Sequence, residues 1–563
     1  MGVAISNFCK RVVRYLGILF TGYLFLQGLF TICCIRRVNE DIYFMRNNAL
    51  RQLAGIALFF ALTLFLTRGR VRAFLERNAN RLTVLAVAGM TIFLTVWVAN
   101  TRFWFAGDME KIYQYAGMLS EGDYSGWTKG GYPYMYPHQN GLILFVAFLL
   151  RFCTVEESVF VLYGCNILFY VITLVSVLSC VRHCQRDGGV ACVQGLMLIC
   201  YLPYAFFCLL LYGNVIGFGF ACAAMAAAVE YTRGHRAGWL VGSALCMAAA
   251  VIFKQNELIL LVGILILLLF DCLTAAEKRA GKAALMLLWL TVALAGSKLP
   301  DAVMEGITGM EVGAGMGRFA HLAMGLQYTD VGDPGWYNGY NADIFEANDY
   351  DTRATTEAAI ASLRESWAGF AEDPGEAWRF FNQKLAAEWN NPTFECFHIQ
   401  NFKLPMRELG SVVSSAINDG GKINILLIAL MDIWQSVLLF GILMYLISAD
   451  EAGWAELLPA LLFIGGFVFF AFWEAKSQYV APFFFLLIPY AFPGYLALAK
   501  RAREPGKKRN GLFAGVAAVA VLAAVIALSD GGWVHDSFKI DADTEAYYEY
   551  IHEYDANFVR FRF

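Results

Sequence analysis

Four polar clusters interrupt an otherwise apolar chain, and each carries residue types that do chemistry. The first is Gly107-Asp108-Met109-Glu110-Lys111-Ile112-Tyr113-Gln114-Tyr115-Ala116. Asp108 and Glu110 open an amphipathic helix with Ile112, Tyr115, Ala116 and Leu119 on one face. A carboxylate held at a helix start beside a membrane surface can act as a general base; capping the helix is its plainer role. The second cluster runs from Gly131 to Gly141. Its two prolines predict extended backbone. Its tyrosines, Tyr136 among them, offer flat faces with hydroxyls, suited to sugar rings or to a membrane interface. An interfacial belt does not require His138, Gln139 and Asn140 to lead into a strongly apolar run. The third cluster is Phe253-Lys254-Gln255-Asn256-Glu257, with Lys476 in Trp473-Glu474-Ala475-Lys476-Ser477-Gln478-Tyr479 and Lys298 at the same depth. Such cations either snorkel or neutralise a phosphate leaving group. The fourth holds Arg318 and His321, followed by Gly335-Trp336-Tyr337-Asn338-Gly339-Tyr340-Asn341, whose composition suits sugar binding.

The elements that must position these residues are membrane helices. Of the 563 residues, 59% are apolar and 16% charged, against about 25% charged in soluble domains. A soluble enzyme, a disordered chain and a nucleic-acid binder are excluded. Spans of about 20 apolar residues are expected near 15–35, 50–67, 83–100, 157–181, 190–212, 214–231, 238–253, 257–272, 283–299, 423–448, 454–473, 477–498 and 511–529. The fold class expected is an all-α polytopic membrane protein with about 13 transmembrane helices. Juxtamembrane helices and a large, mainly helical extracytoplasmic loop complete it.

Lys and Arg in short loops set the orientation. Basic loops at 10–14, 68–81, 182–186, 233–236, 278–282 and 500–509 fall on one side if 139–153 does not cross. Arg36, Arg37, Arg46 and Arg51 after the first span run against this scheme. It divides the chain into three N-terminal spans (1–100), a first outer loop (101–156) and a central bundle (157–299). A large outer loop (300–422), C-terminal spans (423–529) and an outer tail (530–563) follow. The large loop holds 18 Asp and Glu against 8 Lys and Arg. A helical stretch at 354–389 is expected to give it a small core of its own, anchored by Trp367, Phe370, Trp378, Phe380, Phe381 and Trp389. The 14 cysteines lie mostly in or beside spans and read as packing residues. No zinc, Walker or Rossmann signature is present, and Gly313-Ala314-Gly315-Met316-Gly317 follows no strand pattern. No cofactor is indicated. A divalent cation on the acidic loops is conceivable, without ligand spacing to name its residues.

In their order the motifs resemble the GT-C superfamily of membrane glycosyltransferases, in the bacterial branch near the protein mannosyltransferase and aminoarabinose transferase (family 39-like) enzymes. The resembling features span roughly residues 83–500. They are Asp108 early in the first outer loop, Tyr136-Pro137-His138-Gln139-Asn140 opening a juxtamembrane helix, and Lys254 at an outer turn. The large loop and Lys476-Ser477-Gln478-Tyr479 follow. Pro137-His138 stands where the family has Pro-Pro, and Asp108-Met109-Glu110 where the protein transferases have adjacent Asp-Glu. The resemblance implies inverting transfer of a monosaccharide from a polyprenyl-phosphate donor to an envelope glycan, lipid or protein. The reaction would run on the outer face of the plasma membrane. It implies Asp108 as base or acceptor-orienting group and Lys254 and Lys476 on the donor phosphate. Glu110, Tyr136, His138, Gln139, Arg318 and His321 are the candidate substrate contacts. Two rivals remain: a lipid-linked-sugar transporter or flippase, favoured by Asp432 alone in the tenth span, and a polysaccharide polymerase or ligase, favoured by Arg318 and His321.

Overall fold

The computed structural model describes residues 2–35, 42–275, 277–401 and 405–502. The interval 511–529 and the tail 530–563 lie outside the described residues, as do Arg36 and Arg37. The chain begins with α1 (Gly2–Phe30), a hairpin of β1 (Thr31–Ile35) and β2 (Ile42–Arg46), α2 (Ala49–Leu66) and α3 (Gly69–Thr101). The first loop region holds α4 (Asp108–Glu121), α5 (Tyr132–Met135) and α6 (Asn140–Leu150). The central bundle is α7 (Val155–Cys184), α8 (Gly188–Ile199), α9 (Leu202–Phe206), α10 (Asn214–Gly234), α11 (Ala237–Phe253), α12 (Leu258–Thr274) and α13 (Arg279–Thr308). The large loop carries α14 (Arg318–Met324), α15 (Tyr340–Ala347), α16 (Thr352–Glu372), α17 (Pro374–Trp389), α18 (His398–Asn401) and α19 (Ser411–Ile417). Then come α20 (Lys422–Ser448), α21 (Trp454–Phe472), α22 (Ser477–Leu487) and α23 (Ala491–Ala502).

The protein is a multi-pass, almost wholly helical membrane protein. Among the described residues ten helices are long and apolar enough to cross a bilayer, and the pair α8–α9, bent by 49°, is either an eleventh, broken span or a re-entrant loop. The shorter α11, 17 residues, is apolar throughout its core. Each expected interval up to 498 thus overlaps a helix, the first running on into β1. The 11 residues of α6 rise about 16 Å, half of a hydrocarbon core, as expected of a helix that does not cross. The bend between α8 and α9 follows from Pro203 in the first turn of α9. Asn166 satisfies the carbonyls exposed beyond it, donating to Cys208 (2.9 Å) and Leu210 (3.0 Å).

The described loops gather at two ends. At one end Arg14 pairs with Asp450 (2.5 Å), Arg72 with Asp187 (2.5 Å) and Lys282 with Asp271 (2.8 Å). At the other, Lys129 pairs with Asp349 (2.9 Å), joining the first loop region to the large loop. The hairpin lies at this second end: Cys33 donates its amide to the Asn390 carbonyl (2.9 Å), and Ile42 donates to Asp333 Oδ2 (3.1 Å). The segment after α1 therefore shares an end with the large loop despite its arginines.

Four local expectations are corrected. The first span ends at Phe30, and the hairpin departs from an all-α fold. Pro133 and Pro137 occupy the first turns of a short α-helix and a 3₁₀ turn rather than extended backbone, a position where the missing N–H costs nothing. The buried face of α4 is Met109, Ile112, Tyr113, Ala116 and Leu119, with Tyr115 at its margin. The aromatic anchors of the large loop divide: Trp367, Phe370, Phe380 and Phe381 pack on one another, whereas Trp378 is half exposed at 50%. Trp389 leaves the loop to pack on Phe463 (5.1 Å between centroids) and Phe467 (5.7 Å) of α21. The loop's own cluster is Met316, Ala320, Ala323, Phe345 and Ala359.

Candidate functional site

A cavity of about 1290 Å³ opens at the end where the large loop lies. Asp108, Tyr136, His138, Gln139, Lys254, Arg318, His321 and Lys476 all line it, from five separate stretches of sequence. Glu110 is in the first turn of α4 but outside the lining.

Asp108 owes its position to a glycine. Gly107 caps α4 at φ 60°, ψ −133°, a conformation that side chains resist. Asp108 is thus the first helical residue, not the cap. Its Oδ2 accepts a hydrogen bond from the Tyr212 hydroxyl (3.0 Å), which in turn accepts one from Gln139 Nε2 (2.6 Å).

Lys254 lies in the extended break between α11 and α12. Its Nζ sits over the ring of Tyr212 (4.2 Å to the centroid) and near that of Tyr479 (5.6 Å). Withdrawal from water pulls its pKa down to about 8, against the attraction of Asp108, Glu257 and Glu474. Lys476, the N-cap of α22, lies over the Trp336 ring at 5.7 Å.

Burial favours the neutral form of both site histidines. Burial, with the fields of His321 and Lys254, pushes His138 down to about 3. His321 is lowered by burial as well. Its Nδ1 lies 3.2 Å from the Gly317 carbonyl and its Nε2 3.2 Å from the Asn341 amide. With Nδ1–H donating, Nε2 accepts, so both nitrogens are engaged. The ring also stacks on Trp473 (5.2 Å, 3°). His321 is a wall residue, tied down before any substrate arrives. Arg318 is exposed and makes no hydrogen bond or ion pair among the described residues.

From this polar chamber an apolar arm runs between two helices. Leu258, Ile259, Val262 and Ile266 of α12 face Leu461, Leu462, Ile464 and Phe469 of α21 along it. The i, i+1, i+4, i+8 spacing on α12 gives one continuous stripe. Lys254 precedes α12 by four residues and Lys476 follows α21 by four, so both cations stand at the head of this arm.

The sequence reading missed Tyr212 and Asp301, and named Tyr337 and Glu474 only inside longer clusters. All four line the cavity. Asp301 accepts from Asn140 (3.2 Å). Burial raises the phenols of Tyr136 and Tyr337, and the negative charges of Asp108 and Glu474 add to the rise in both. Lys384, fully buried on α17, braces the rim by donating to the carbonyls of Gly325 and Trp473, both at 2.5 Å.

Asp432 lies elsewhere. It pairs with Arg51 (2.6 Å), accepts from Asn47 (2.9 Å) and is bonded by Gln52. It is a satisfied structural acid at the start of α2 rather than a lone charge on a path. Among the described residues no three His, Cys, Asp or Glu side chains gather in a way that could hold a metal ion. The chain matches no protein-family model and no curated protein.

Proposed function

We propose that the protein is a GT-C-type glycosyltransferase that moves a monosaccharide from a polyprenyl-phosphate donor to an envelope acceptor. One observation carries the reading: a carboxylate and aromatic-seated cations share a polar chamber that continues into an apolar arm between α12 and α21. A lipid-linked sugar has that sequence of chemistries, with a phosphate between sugar and hydrocarbon. The acceptor hydroxyl lies at Asp108, which takes or orients its proton. Its oxygen attacks the anomeric carbon from the face opposite the phosphate, and the new C–O bond forms as the C–O bond to phosphate breaks. The electron pair leaves with the lipid phosphate, whose charge Lys254 and Lys476 neutralise. Configuration at the anomeric carbon inverts. Tyr136, Tyr337 and Trp336 supply hydroxyls and flat faces for the sugar.

On this reading the cavity opens on the outer face of the plasma membrane, which the basic loops at the opposite end support by the positive-inside rule. The partners on this reading are the lipid donor, a glycan, lipid or protein acceptor, and the bilayer. Satisfied Asp432 removes the feature that favoured a transporter. A polymerase or ligase reading retains Arg318 but loses the free imidazole of His321.

The test is to incubate purified protein with a panel of radiolabelled polyprenyl-phosphate sugars and ask whether label leaves the lipid. Turnover is expected with at least one donor, and Asp108→Asn should slow it by about 10²–10⁴-fold while still eluting as folded protein. Tight donor binding without turnover, or full activity in Asp108→Asn, would sink the reading.

A further inference from the structure

We propose that Tyr212 is the positioning residue of this site, its hydroxyl aiming Asp108 and its ring seating Lys254. The inference rests on the glycosyltransferase reading and goes beyond it in assigning one side chain to both halves of the reaction. Tyr212 lies in the short break before α10. Gly213 follows it at φ +75°, and a Cβ there would come within 2.7 Å of the Phe253 carbonyl oxygen. Only glycine lets the α10 start approach the break at Phe253 and Lys254 so closely, and that approach brings the tyrosine ring beneath the ammonium.

The direction of the hydrogen bonds is forced. A phenol has one proton, an ionised carboxylate only accepts, and an amide nitrogen only donates. The chain therefore runs from Gln139 Nε2 to the Tyr212 oxygen, and from the Tyr212 hydroxyl to Asp108 Oδ2. Gln139 is itself buried, which holds the origin of the chain in place. Burial raises the Tyr212 phenol well above its ordinary range, so it stays a donor. The Tyr132 phenol stands against both Asp108 and Tyr212. The ring face meanwhile holds Lys254 by a cation–π contact at 4.2 Å. The hydroxyl edge thus governs the base and the ring face the cation that meets the phosphate.

Separating edge from face tests this. Tyr212→Phe keeps the ring and loses the hydroxyl; Tyr212→Leu loses both. Two quantities are read on folded, detergent-purified protein: transfer kinetics with the active donor, and binding of a polyprenyl monophosphate. Tyr212→Phe should lower kcat by about tenfold or more, with donor KM and monophosphate affinity within about twofold of wild type. Tyr212→Leu should in addition weaken monophosphate binding by about 2- to 30-fold. Gln139→Met, which removes only the donor to the hydroxyl, should lower kcat and leave monophosphate binding unchanged. Wild-type kcat in Tyr212→Phe or in Gln139→Met, with Asp108→Asn inactive, overturns the proposal and leaves the glycosyltransferase reading standing. Equal loss of monophosphate binding in Tyr212→Phe and Tyr212→Leu also overturns it, because the hydroxyl would then be a phosphate ligand. Full activity in Asp108→Asn removes the underlying reading, and the role of Tyr212 falls with it.

Discussion

If the proposed function holds, donor binding should fade as pH rises through about 8, and the residue responsible should be Lys254. Its pKa is drawn down to about 8 by loss of water, with Asp108, Glu257 and Glu474 opposing the fall. The protonated ammonium is the form that meets a phosphate, so affinity is intact below pH 8 and lost above it. If only the cation binds, the apparent Kd scales as one plus the ratio of neutral to charged lysine. That factor is about 1.1 at pH 7 and about 11 at pH 9, so affinity drops about tenfold over two pH units. A lysine at its ordinary value near 10.4 would change by under about 5% over the same range. The phosphate is not the source of the change, because its second ionisation lies near 6. Nor is His138, which stays neutral from about 3 upward, nor Tyr212, which burial keeps protonated.

Two buried groups compete, since burial also brings to about 8 both Glu257, which Glu257→Gln would silence, and Lys384. Lys384 braces the rim through two carbonyls and does not line the cavity. Lys254→Arg separates Lys254 from both, because a guanidinium keeps its charge throughout this range. The assay is equilibrium binding of a polyprenyl monophosphate to purified protein at pH 6.5–9.5, for wild type and Lys254→Arg. Wild type should lose affinity near pH 8 and Lys254→Arg should stay flat. A flat wild-type curve, or the same midpoint in Lys254→Arg, would refute the argument. Lys254→Met at pH 7 should cost about 1.5–3 kcal/mol of binding, the worth of a charge-assisted hydrogen bond.

Three further outcomes are expected. Gly107→Ala forces a side chain into φ 60°, ψ −133°, which costs about 1–3 kcal/mol; transfer kinetics should show a lowered kcat, because relief of the strain moves Asp108. Lys384→Met strands the carbonyls of Gly325 and Trp473 and removes the partner of buried Glu388, so thermal unfolding and limited proteolysis should report a looser 300–401 segment and a loss of about 2–5 kcal/mol. Asp432→Asn breaks the pair with Arg51, whose side chain is 40% exposed, so the loss should stay near 1–2 kcal/mol by melting in detergent, with transfer per folded molecule unchanged.

What could be read in the sequence follows from what a bilayer penalises. Charged side chains near span ends are expensive to keep, so Asp108, Lys254 and Lys476 stood out, and the cavity gathers all three. Tyrosine carries no such penalty and is common at membrane interfaces, so Tyr212 did not stand out although it touches two of them. Its signal was a backbone one: Pro203 and Gly213 bracket a break inside the apolar interval 190–212, and a broken helix exists to deliver something. Residue type also says nothing about partners. His321 and Asp432 looked available because an imidazole and a lone acid usually act, yet Gly317, Asn341 and Trp473 engage the one and Asn47, Arg51 and Gln52 the other. The hairpin was hidden for the same reason. Thr31-Ile32-Cys33-Cys34-Ile35 simply continues the apolar run of α1, and the hairpin's partners, Asn390 for Cys33 and Asp333 for Ile42, lie far along the chain. Local pattern reveals where a polar group must be; only the distant chain decides whether that group is already in use, and catalysis needs one that is not.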